Sequence, residues 1–121
     1  MPADPLAGIN VAIVIFAMPG CPACHEYLPR VYKQIEGYQQ LGIPFVVYQD
    51  GVALSPGQIP VFVYDSTSKD PDVQAMADKH QIRNLPTTLL LPKVGFPARY
   101  EGSLPPGDIY NLLNAAMATN R

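Results

Sequence analysis

The chain places its only two cysteines three residues apart, in Gly20-Cys21-Pro22-Ala23-Cys24, directly after a continuous apolar run from Val11 to Ala17. The run is rich in β-branched residues, as expected of a strand buried on both faces of a parallel or mixed sheet, so it is expected at the centre. A helix that starts after Cys21 then puts this residue at a helix N-terminus, where unpaired backbone N–H groups and the helix dipole favour a thiolate. At this spacing one sulfur can attack and the other resolve. Strand, Cys-x-x-Cys and helix together read as a dithiol/disulfide redox centre.

Composition bounds the rest. With 121 residues, 48% of them apolar, the chain suffices for one domain over residues 1–121 whose core needs no disulfide staples. The net charge of -2 and eight scattered Lys and Arg residues form no basic stripe, so nucleic acid is not an expected partner. The longest apolar stretch, Val11 to Met18, is too short to span a bilayer and is preceded by no basic n-region. Neither a membrane partner nor a signal peptide is expected, and the expected setting is reducing and cytoplasmic. The 14 prolines are spread along the chain as punctuation and form no linker.

Beyond the cysteines, Cys24, Leu28, Val31, Ile35 and Tyr38 recur at helical spacing and predict a helix to about Gln40, stopped by Gly42 and Pro44. Pro29 lies inside it, removes one backbone hydrogen bond and predicts a kink. Phe45 to Tyr48 is a short strand candidate and Asp50-Gly51 a turn signal, after which the chain reads as loop as far as Pro60. Val61 to Tyr64 is a buried strand. Asp70 and Pro71 cap a helix with a modest apolar face of Val73, Met76, Ala77 and His80. Thr87 to Leu91 and Ala98 to Glu101 predict a hairpin, and Ile109, Leu112, Leu113, Ala116 and Met117 a C-terminal helix.

This order, with Cys-Pro-Ala-Cys after the first long strand, resembles the thioredoxin-like fold. Pro29 stands where thioredoxins carry a kinking proline, Ile82 to Thr87 looks like the segment leading into the family's cis-proline, and Gly102 follows the last strand as the family's glycine does. The resemblance covers residues 11 to 118. It implies an α/β fold with a central mixed sheet of about four strands flanked by helices on both faces. It also implies an exposed Cys21 as nucleophile, with a depressed pKa, and Cys24 as the resolving thiol. The Leu85–Pro86 bond would be cis and offer an edge on which an extended substrate pairs, with Gly20, Pro22, Leu85 and Met18 around the groove. Implied partners are protein disulfides or dithiols and an electron donor, with no cofactor. The chain is expected to be a monomer unless it belongs to a larger assembly.

Departures from the family pattern are equally specific. Thioredoxin has Trp before its first cysteine and Gly-Pro between the two; here Gly20 and Pro22-Ala23 stand in those places, and the chain has no Trp. The buried acid that thioredoxin carries six residues before its first cysteine is Ile15, which removes the usual internal proton acceptor. Residues Ile43 to Pro60 look like added sequence.

On residues alone, the cysteines have two other readings: a buried thiol pair, or half of a zinc site shared between two chains. A closed four-ligand zinc site within the chain requires both His25 and His80, so no metal is assigned. His25 reads as a surface residue, because neighbouring helical side chains point about 100° apart. His80 reads as the end of the second helix, and the seven tyrosines as core or boundary. Two functions follow: a thiol–disulfide oxidoreductase acting through Cys21 and Cys24, in either direction, or a thioredoxin-fold structural or interaction module with little catalytic role.

Overall fold

In the computed structural model, which describes residues 6–49 and 52–121, the apolar run forms the strand β1 (Val11–Ala17). It is followed by α1 (Pro22–Gln40), β2 (Phe45–Val47), β3 (Ile59–Asp65), α2 (Pro71–Lys79), β4 (Thr87–Pro92), β5 (Ala98–Glu101) and α3 (Pro106–Thr119). The strands make one sheet in the order β2-β3-β1-β4-β5, with β1 parallel to β3 and antiparallel to β4.

The central place of β1 explains its unbroken apolar sequence. Val11, Ile13 and Ile15 join the core formed with α1 and α3, whereas Val14 and Phe16 face the opposite side, where Val73, Met76 and Ala77 of α2 pack. Helices therefore lie on both faces of the mixed sheet, as the resemblance implied. Coverage is unequal: α1 contributes Cys24, Tyr27, Val31, Ile35 and Tyr38 to the interior, but α2 has no fully buried residue.

Three details differ from the sequence reading. The sheet has five strands where about four were expected, because Phe45–Val47 pairs with β3 as a parallel edge strand. Ile59 and Pro60, expected in the loop, belong to β3. Ile59 is 1% exposed and donates its N–H to the Pro44 carbonyl, while β1–β3 pairing starts one residue later, at Ile13 and Val61, so Pro60 removes no donor from that ladder. On α1, Tyr27 rather than Leu28 points fully inward. The helix runs through Pro29 without interruption. The Asp50-Gly51 turn lies outside the described residues.

Capping follows the local sequence. The Asp70 carboxylate accepts the Asp72 N–H at 2.9 Å at the start of α2, and Pro71 occupies the first turn, where its missing donor is harmless.

Replacing Ile35, 1% exposed between α1 and the sheet, by Ala should cost about 2–5 kcal/mol, read as a lowered urea midpoint with an unchanged m-value. A second effect concerns pH. His80, the C-cap of α2, has its pKa lowered from 6.5 by burial, then by Lys79 and Arg99. The unfolded chain thus takes up this proton more readily, so stability should fall as pH drops through 6.5, and His80→Gln should flatten that slope in urea titrations.

Candidate active site

At the C-terminal end of β1 the chain turns through Met18, Pro19 and Gly20. Gly20 has φ +82°, a conformation in which any side chain would be strained although the space around it is open. That turn delivers Cys21 as the N-cap of α1. Its Sγ accepts the Cys24 N–H at 3.1 Å, its carbonyl accepts the His25 N–H at 3.1 Å, and Pro22 supplies a first helical residue that needs no donor partner. One helical turn on, Cys24 is joined to Cys21 by a disulfide, with the Cα atoms 5.2 Å apart.

Across from the pair, the Leu85–Pro86 peptide bond is cis. The Leu85 carbonyl oxygen lies 4.0 Å from Cys21 Sγ, and the Leu85 side chain packs on the cluster of Ala17, Cys21 and Cys24. Of the six residues singled out from the sequence, Cys21, Cys24 and Leu85 thus meet directly. Gly20 and Pro22 are exposed beside them, and Pro86 is buried behind Leu85, its carbonyl accepting the Gly102 N–H at 2.8 Å. Cys21 is not exposed as expected: in the disulfide it is 8% accessible, because Ala17 and Leu85 cover it, against 1% for Cys24.

The first turn of α1 carries no acidic residue, so nothing there competes with a thiolate for the positive end of the helix dipole. Beside Cys24 a groove of about 310 Å³ opens between Met18-Pro19 and Val63 to Asp65, with His25 and Leu28 on its α1 side. His25 is exposed, as read from the sequence. The Asp65 carboxyl is held below the usual carboxylate range by the Thr67 hydroxyl at 2.6 Å and the Thr67 backbone N–H at 2.8 Å. Among the described residues no three His, Cys, Asp or Glu side chains gather as a metal cluster, and His80 caps the C-terminal end of α2.

A polar pair that the sequence reading passed over lies below the dithiol. Tyr27 and Thr88 are both 0% exposed, and their hydroxyls are 2.8 Å apart, linking α1 to β4. Thr88 pairs across β1–β4 with Ile15, the residue standing where thioredoxin carries its buried acid. Burial pushes the Tyr27 phenol pKa above its ordinary value. The signal was available: positions 24, 27, 31, 35 and 38 fit a helical stripe as well as the version through Leu28.

Tyr27→Phe leaves the Thr88 hydroxyl buried without this partner and should cost about 1–3 kcal/mol. Adding Thr88→Val should recover part of that loss, so a double-mutant cycle by urea denaturation would return a favourable coupling.

Among known proteins, no curated sequence is significantly similar to this one. Solved structures share its fold. A malarial protein superposes with a TM-score of 0.60 at 19% identity, covering 88% of this chain and 97% of its own. Chloroplastic thioredoxin z gives a TM-score of 0.58 at 22% identity, covering 90% and 80%. Thioredoxin-2, described as a component of the malaria parasite's protein secretion machinery, gives 0.61 at 19% identity, covering 88% and 82%. Identities of 19% to 22% show a likeness of fold alone. The family model described as thioredoxin-like domain, however, matches residues 7–117, and by that match the chain belongs to the thioredoxin-like domain family.

Proposed function

We propose that this protein is a thiol–disulfide oxidoreductase that exchanges protein disulfides through Cys21 and Cys24. The observation that carries the reading is the Cys21–Cys24 disulfide at the start of α1, with the Leu85 carbonyl oxygen 4.0 Å from Cys21 Sγ. In the reducing direction, the Cys21 thiolate attacks one sulfur of a substrate disulfide. The S–S bond breaks, a mixed disulfide forms, and the departing substrate thiolate takes a proton from water. Cys24, losing its proton, then attacks Cys21 Sγ and releases the second substrate thiol. Two electrons have passed from the dithiol to the substrate, and a thiol reductant must return them before the next cycle. Every step can run in reverse, so the reduction potential decides the direction.

Leu85 and Pro86 supply the ledge on which an extended segment of the substrate lies, with Gly20 and Pro22 at its rim. We read the chain as one domain over residues 1–121, a monomer in a reducing, cytoplasmic setting that requires no metal or cofactor. Its partners are protein disulfides or dithiols and an electron donor, and neither nucleic acid nor membrane. No described helix is long and apolar enough to cross a membrane. A second reading, a structural or interaction module, draws on Ile15, which leaves no carboxylate at that position to accept the Cys24 proton.

Turnover of insulin disulfides with dithiothreitol as electron source separates the two. The wild type should accelerate reduction, Cys21→Ser should fall to the uncatalysed background, and Cys24→Ser should accumulate as a mixed disulfide with the substrate. Equal rates for wild type and Cys21→Ser would overturn the enzyme reading in favour of the module.

A further inference from the structure

The dithiol and the ledge belong to separate parts of the chain, α1 and the loop before β4. Disulfide exchange requires the substrate sulfur to sit in line with Cys21, and a misplacement of about 1 Å can lower such a rate by roughly 100-fold. Something must therefore hold α1 and the loop at a set separation.

Residues 99–104, the end of β5 and the turn that follows, touch both. On the loop side, Arg99 Nη2 donates to the Gln81 carbonyl at 2.7 Å, and Nη1 donates to that of His80. Arg99 Nε donates to Glu101 Oε1 at 3.1 Å, and the other Glu101 oxygen accepts Asn84 Nδ2 at 3.2 Å. The Gly102 N–H then holds the Pro86 carbonyl. On the α1 side, Arg30 Nη2 donates to Ser103 Oγ and Nη1 to the Leu104 carbonyl, both at 2.7 Å. Arg30 also pairs with Glu26 at 3.1 Å, and Ser103 Oγ donates to Glu26 Oε2 at 3.2 Å. Arg30 lies six residues beyond Cys24 on the same helix, its guanidinium carbon 6.0 Å from the centre of the Tyr27 ring.

We propose that residues 99–104 act as a brace that sets the spacing between Cys21 and the Leu85–Pro86 ledge, with Arg30 and Arg99 as its positioning residues. The proposal rests on the reading that Cys21 exchanges disulfides with a protein substrate lying on that ledge. Each arginine uses two nitrogens of a planar fork on two separate acceptors of the main chain or a hydroxyl. A lysine retains the charge and cannot span both acceptors. If the two residues served stability alone, loss of the fork would weaken the fold without altering how a bulky substrate is bound relative to a small one.

Arg30→Lys and Arg99→Lys are the variants to compare with wild type, using insulin and a small aromatic disulfide that reaches the thiols without the ledge. The expected result is a KM for insulin raised about tenfold, the effect of losing one hydrogen bond from a charged donor, with the rate on the small disulfide unchanged. Parallel losses on both substrates, or no change on either, would overturn the brace. Amide hydrogen exchange supplies a readout independent of activity: in both variants the Gly102 N–H should exchange faster than in wild type. If the wild type reduces no insulin, the oxidoreductase reading fails by itself, and the Gly102 exchange still decides the brace, which unchanged protection would refute.

Discussion

Everything in this molecule depends on β1 being paired along both edges and covered on both faces. Seven residues without a charged side chain satisfy their backbone groups only between two neighbouring strands, and β3 and β4 provide them. The direction of those neighbours then builds the site. Because β4 is antiparallel to β1, Thr87 at its start lies opposite Phe16 near the end of β1, and the residues just before β4, Leu85 and Pro86, are brought to where the chain leaves the sheet towards Cys21. Because β3 is parallel, it ends in step with β1, with Asp65 opposite Ala17. One end of the sheet thus collects the dithiol, the cis peptide bond and the groove beside Cys24.

Beneath that end the interior is neutral. Ile15 stands where thioredoxin carries its buried acid, and the Tyr27 and Thr88 hydroxyls, which satisfy each other, link α1 to β4. A paired pair of hydroxyls can be buried at small net cost, whereas an isolated carboxylate must be neutralised or partnered. Tight packing here also covers Cys21, so the disulfide lies flush with the surface. Two partly exposed ion pairs stand outside this neutral zone, Arg30 with Glu26 and Arg99 with Glu101, on either side of the turn after β5.

Much of the fold was legible because its strongest signals are local. The apolar run, the caps at Cys21 and Asp70 and the periodicity of α1 and α3 each depend on residues within a few turns of one another. The misses have non-local causes. Ile59 and Pro60 read as loop locally and join β3 through their pairing with the short candidate strand Phe45–Val47, more than ten residues earlier. Whether Tyr27 or Leu28 points inward on α1 turned on the partner available, the Thr88 hydroxyl on β4. The accessibility of Cys21 turned on Leu85, which is far away in sequence.

The sequence by itself determined that this chain has a central strand, a dithiol at a helix N-terminus and the order of elements around them. Chain-neighbour spacing and hydrophobic period are enough for that. Only the tertiary structure decided which residues surround the sulfurs. The approach of Leu85 to Cys21, the hydroxyl pair behind Ile15 and the grip of Arg30 and Arg99 on the turn after β5 join positions far apart along the chain. Their meeting depends on strand direction and register, which are settled when the whole sheet closes around β1.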